Sequence, residues 1–200
     1  MPSTFRIPKA EITGLYGAMV RMFAKKMLGG EMPDNAYVYF HHQQVFKSVM
    51  SFEGKVKKWD ALDPTLKSYA QLASAGTIGC SWCLDFGYFM AHNDGLDLAK
   101  ISEVPRWRES DVFTPTERRV MEYAEAMCRT PVEVTDELSA ALLDDLGAAA
   151  LVELAAVVGM MNATARINLA LGIRSQELAQ SCGLAPLERP GSASGAPVAG

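Results

Sequence analysis

The run Gly79-Cys80-Ser81-Trp82-Cys83-Leu84-Asp85-Phe86-Gly87 sets two thiols three residues apart, directly after glycine breaks at Gly76 and Gly79. It reads as the first turns of a helix predicted over 80–93. At 100° per residue both sulfurs share one face, and they can close a disulfide with little movement. Unsatisfied backbone N–H groups at a helix start also favour a thiolate there. That help is small. A helix terminus contributes about 0.3–1 kcal/mol at an exposed site, against roughly 1.4 kcal/mol for one pKa unit, so a thiol near about 8.5 falls only to about 8. Fast attack on a peroxide needs an added base or cation.

The same period of about 3.6 extends outward from this run in both directions, and no segment alternates in the manner of a strand. The fold is predicted to be all-α. Helices are expected over 11–28, 35–52, 63–76, 80–93, 97–101, 115–129, 136–145, 148–172 and 175–182. Their starts are punctuated by Asp34 after Pro33, by Asp63 before Pro64, and by Thr114-Pro115-Thr116-Glu117, a capping box with proline at the first helical position. The segment 104–112, with Pro105, Trp107 and four charges, is either a seam between two fused helical lobes or a long loop on one continuous core. Residues 1–184 form a single all-α domain in either case. From 185 onward the chain is Ala, Pro, Gly and Ser, too poor in large apolar groups to offset ordering entropy, and a mobile tail is expected.

At 200 residues the chain can hide roughly 70% of its unfolded surface in one core. Its net charge of -4, with basic residues scattered among more numerous acids, argues against nucleic acid as a partner. Residues 1–10 show no basic cluster followed by an apolar stretch, so a cytoplasmic location is expected. The most apolar stretch, 146–171, carries Glu153, Asn162, Arg166 and Asn168, and reads as a buried helix rather than a membrane span. Glu153 and Arg166 lie about 140° apart on it, so each should find its partner on another helix or subunit. In a reducing compartment four cysteines are not a disulfide framework, and the close pair Cys80 and Cys83 reads as redox or metal chemistry. Zinc would need two further ligands. Cys128 and Cys182 are isolated, and the adjacent His41 and His42 are poorly spaced for a tetrahedral site.

Together with Cys80 and Cys83, the run Leu62-Asp63-Pro64-Thr65-Leu66-Lys67-Ser68 and the small-residue helix ending in Ile78-Gly79 resemble the alkylhydroperoxidase D / carboxymuconolactone decarboxylase superfamily. Phe113-Thr114-Pro115, Glu122-Tyr123-Ala124-Glu125-Ala126, Val152-Glu153-Leu154 and Arg166-Ile167-Asn168-Leu169-Ala170-Leu171-Gly172 look like its longer members. The resemblance spans about residues 30–180 and implies a helical bundle of the alkylhydroperoxidase D type that assembles as a homodimer or homotrimer. It also implies roles: Cys83 as the peroxidatic thiol, Cys80 as the resolving one, a small peroxide or disulfide as substrate, an external dithiol as reductant, and no cofactor. Two relay positions depart from the pattern. Ser68 stands where the resemblance implies a glutamate and Gly87 where it implies a histidine, and neither side chain can move a proton.

Another residue would then have to supply the base. On the predicted 80–93 helix His92 lies on the opposite face and Asp85 points away. On the predicted 35–52 helix, Val38, His42, Val45 and Val49 share a stripe that turns His42 inward, which makes His42 the candidate relay; the alternative is a core histidine satisfied by its neighbours. The cysteine pair has a plainer reading too: two inert thiols packed beside Phe86, Gly87 and Met90. The expected activity is therefore that of a thiol-disulfide oxidoreductase or weak thiol-dependent peroxidase. The alternatives are a binding or structural member that lacks the relay, or a lactone decarboxylase.

Overall fold

The computed structural model describes residues 5–28, 32–181 and 183. The expected tail and Cys182 lie outside the described residues. The helices are α1 Gly14–Met27, α2 Asp34–Tyr39, α3 Gln43–Val56, α4 Pro64–Ile78, α5 Ser81–Asn93, α6 Leu98–Ser102, α7 Pro115–Cys128, α8 Asp136–Leu146, α9 Ala148–Ala170 and the short α10 Leu178–Ser181. Among the described residues there is no strand, in keeping with the all-α expectation.

Local chemistry sets the boundaries around the cysteines. Asp63 caps α4, its carboxylate accepting from the Thr65 and Leu66 backbone N–H groups at 2.8 and 3.3 Å, while Pro64 takes the first turn. Gly79 ends α4 in the left-handed region at φ 82°, a conformation that favours a residue without Cβ. Its N–H and that of Cys80 both return to the Ala75 carbonyl. The chain then re-enters a helix at once, with Cys80 itself as the capping residue of α5. The capping box at Thr114 and Glu117 forms as its spacing predicts.

One expected helix divides. The 35–52 stretch is helical over α2, tightens into a 3-10 turn over Phe40–His42, and restarts as α3. His42 leaves helical geometry at φ -134°, ψ 84°, which resets the phase of everything after it. The inward stripe predicted for His42 is thereby broken: Val38 is buried, but His42 and Val45 are exposed.

Helix α4 lies at the centre, packed against α5, α7 and α9. Tyr69, Leu72, Ile101, Met121, Leu142 and Leu154 are fully buried in this core. At roughly 1.5–3 kcal/mol for each large apolar side chain, this cluster is the main source of stability. The core continues through 104–109, where Val104, Pro105 and Trp107 are buried and the Trp107 indole donates to Glu125 at 2.8 Å. The segment is thus packed, with its charges outward, rather than a surface linker.

By length and composition α9 could cross a membrane. In the fold it crosses α4 and α7 and carries buried polar groups that have partners. Glu153 pairs with Lys67 of α4 at 2.6 Å and accepts from the Ala61 and Leu62 backbone N–H groups. Burial pushes the Glu153 carboxyl up, but these donors outweigh it and hold it below the usual range. Arg166 donates to the Cys128 carbonyl at the end of α7, at 2.7 Å. Each charge finds its partner on another helix, as the 140° separation requires.

Candidate thiol site

The two-residue connection Gly79-Cys80 fixes the site, because α4 must end and α5 begin around the first sulfur. Cys80 and Cys83 are joined by a disulfide, with Cα atoms 5.3 Å apart. The Cys83 backbone N–H donates to Cys80 Sγ at 3.2 Å, so one free amide of the helix start is spent on that sulfur. Cys80 is fully enclosed, whereas Cys83 retains 5% exposure. Of the two cysteines, Cys83 is the less enclosed.

A second contact reaches Cys83 from α9. The Asn168 side-chain amide donates to Cys83 Sγ at 3.6 Å, and the Tyr39 hydroxyl donates to Asn168 Oδ1 at 3.4 Å. Asn168 and Tyr39 are both buried, at 1% and 5% exposure. Burial pushes the Tyr39 phenol far above its ordinary value, and the nearby Glu53 carboxylate adds to this, so the hydroxyl remains a donor at any physiological pH. Sequence reasoning places Asn168 on an apolar helix and gives Tyr39 no role. No local signal links them to the cysteines, because the contacts span 85 and 129 residues of chain.

Neither relay position offers a proton carrier. A Cβ built on Gly87 would lie 2.9 Å from Leu72 Cδ2, and Leu72 is fully buried, so a histidine has no room there unless the core moves. Ser68 turns its hydroxyl back to the Pro64 carbonyl within its own helix at 3.1 Å. His42 sits at the start of α3, where its ring Nδ1 accepts from the Val45 N–H at 3.3 Å. His92 is exposed beside Asn93. No histidine is seen to bond either sulfur.

The far side of α5 is held by Asp85. This buried carboxylate accepts from the Ser175 hydroxyl and from the backbone N–H groups of Gln176, Leu178 and Ala179, at 2.9 to 3.1 Å. Gln176 in turn accepts from the Trp82 indole and from the Asp34 N–H, and donates to the Met32 carbonyl. The cysteine helix is thereby tied to the entry of α2 and to the C-terminal turn. Cys128, the third described thiol, is buried between the Asn162 amide and the Ser74 carbonyl; burial pushes it up, as suits an inert core thiol. Among the described residues no three His, Cys, Asp or Glu side chains converge as metal ligands.

An all-α bundle with a Cys-x-x-Cys pair at the start of a helix packed on the central one defines a scaffold of the alkylhydroperoxidase D type. The chain belongs to the carboxymuconolactone decarboxylase family: that family's model matches residues 43–126. The protein is 35% identical over 135 residues to the uncharacterized protein YnjA of Escherichia coli, an alignment that covers 67% of this chain and 74% of YnjA. Solved structures share the fold at lower identity. A peroxidase-related protein from Ralstonia eutropha JMP134, described as an alkylhydroperoxidase AhpD core, superposes with a TM-score of 0.73 at 16% identity, covering 89% of this chain and 96% of that one. The debrominase Bmp8, in complex with 2,3,4-tribromopyrrole, superposes with a TM-score of 0.76 at 15% identity, covering 88% and 96%.

Proposed function

We propose that the protein is a thiol-disulfide oxidoreductase with weak peroxidase activity, in which Cys83 attacks and Cys80 resolves. The observation that carries this reading is the bonded pair at the start of α5, with Cys83 the less enclosed cysteine. The Cys83 thiolate attacks one oxygen of a hydroperoxide, forming an S–O bond as the O–O bond breaks. The products are a sulfenic acid and an alkoxide, which takes up a proton from solvent. The Cys80 thiol then attacks the sulfenic sulfur, the disulfide closes and water leaves. An external dithiol reopens the pair by two exchanges, becoming a disulfide itself. With a small disulfide as substrate, the first step is the same attack with a thiolate as leaving group.

The lack of a proton carrier at Ser68 and Gly87 favours a second reading, a family member that keeps the scaffold but binds rather than reduces. Lactone decarboxylation takes its support from the family model alone. The working environment in the leading reading is the reducing cytoplasm, without nucleic acid or membrane as partner. A homodimer or homotrimer is supported by α1, where Leu15, Met19, Met22 and Phe23 form an exposed apolar stripe at helical spacing.

A trapping experiment separates these readings. With Cys80→Ser and a small hydroperoxide, dimedone is expected to label Cys83 as sulfenic acid, and with Cys83→Ser no label should appear at Cys80. His42→Ala, which removes only the α3 cap, should leave the labelling rate unchanged. Absence of label at Cys83 together with a wild-type pair that stays reduced in peroxide would exclude the peroxidase reading.

A further inference from the structure

Resting on the redox reading of the pair, we propose that Asn168 is the hydrogen-bond donor that stabilises the Cys83 thiolate, and that Tyr39 is the positioning residue that keeps the amide turned toward the sulfur. An Asn side chain has an acceptor end and a donor end of nearly the same shape, and only the donor end helps an anion. Tyr39 decides between them. Its hydroxyl bonds Oδ1, which leaves Nδ2 aimed at Cys83 Sγ, 3.6 Å away. Turned the other way, Oδ1 would face the thiolate and repel it. The contact is long with the sulfur in a disulfide, a neutral and weak acceptor; a thiolate is a far stronger one.

The placement compensates for what the helix lacks. Its own N-terminal amide serves Cys80, and Ser68 and Gly87 offer no relay. Asn168 approaches from α9 instead, and its own main chain is fixed by the bond from the Ile173 N–H to the Asn168 carbonyl. Ionisable groups near the contact include Cys80, bonded to Cys83, Tyr39 from α2 and Glu53 from α3 beside Tyr39, while Asp85 of the same helix is turned to the 175–179 segment. An amide donor at the sulfur adds to the helix terminus in favouring the anion. The amide carries no proton to or from the sulfur, so the arrangement sets the thiolate population rather than relaying protons, in line with a slow peroxidase.

The test is the pH profile of Cys83 alkylation by iodoacetamide in the fully reduced protein, resolved by site with mass spectrometry. Asn168→Ala is expected to raise the midpoint by about 1 pH unit, and Tyr39→Phe to raise it by less. Asn162→Ala, whose amide serves Cys128 from the same helix, should leave it in place. Unchanged midpoints in folded Asn168→Ala and Tyr39→Phe would overturn the assignment. Should Asn168→Ala fail to fold, Tyr39→Phe, which keeps the ring, decides alone. The profile needs no turnover, so a wild-type pair that never cycles would defeat the redox reading while the role of Asn168 is still decided.

Discussion

At position 87 a missing side chain is a packing fact before it is a catalytic one. Leu72 fills the space a histidine would need, so the departure from the family pattern is built into the α4–α5 contact. The cysteines themselves were legible, because their spacing and the glycines before them are local features. Asn168 and Tyr39 were not, because only contacts between distant parts of the chain bring them to Cys83. His42 was misplaced for a related reason: a periodicity rule assumes an unbroken helix, and the 3-10 turn over Phe40–His42 resets the phase. Burial pushes the half-buried Glu53, beside Tyr39, up from its ordinary 4.5 to about 7. Between those values the folded chain keeps a proton that the unfolded chain has lost. The contribution of this group to stability is therefore fullest below pH 4.5 and declines as pH rises toward 7, by up to about 3 kcal/mol. Urea midpoints measured across that window should fall for the wild type, and the fall should be smaller in Glu53→Gln; equal slopes would contradict the assignment.

Among the elements, α5 depends on what anchors its two ends. Its start is fixed by Gly79 and Cys80, and its outer face by the carboxylate of Asp85. The sequence placed Asp85 away from the sulfurs but gave no hint of its partners, which lie 90 to 94 residues along the chain. Replacement by alanine leaves three backbone N–H groups without their acceptor, two of them buried. Asp85→Ala should therefore cost about 2–4 kcal/mol and free the turn over 175–179. Hydrogen exchange at the Gln176, Leu178 and Ala179 amides is the direct check; protection equal to wild type would show that the turn holds without the carboxylate. Helix starts elsewhere were read correctly where a capping side chain announces them, as at Asp63 and Thr114. The 104–109 segment carries no such announcement, and the sequence left open whether it joins two lobes or runs along one core; Trp107 packs into the core there.

Across the described residues, an apolar core organised on α4 carries polar groups of structural weight, the Lys67–Glu153 pair and Asp85 among them, and a site of chemical weight, the cysteine pair beside Asn168. Lys67 also donates to the Val56 and Trp59 carbonyls, so the pair ties α9 to the chain entering α4. The class of fold follows from periodicity alone, and the family from motifs along the chain, but the chemistry depends on contacts between distant helices. The central claim is that Cys80 and Cys83 form a working redox couple rather than two packed thiols. Equilibration of the protein against a graded series of reduced and oxidised dithiothreitol, with the state of the pair read by differential alkylation, measures this directly. A single reversible two-electron transition confined to Cys80 and Cys83 is expected, with Cys128 unlabelled throughout in the folded protein. A pair that stays in one state across the whole series, or opens only when the protein unfolds, would contradict it.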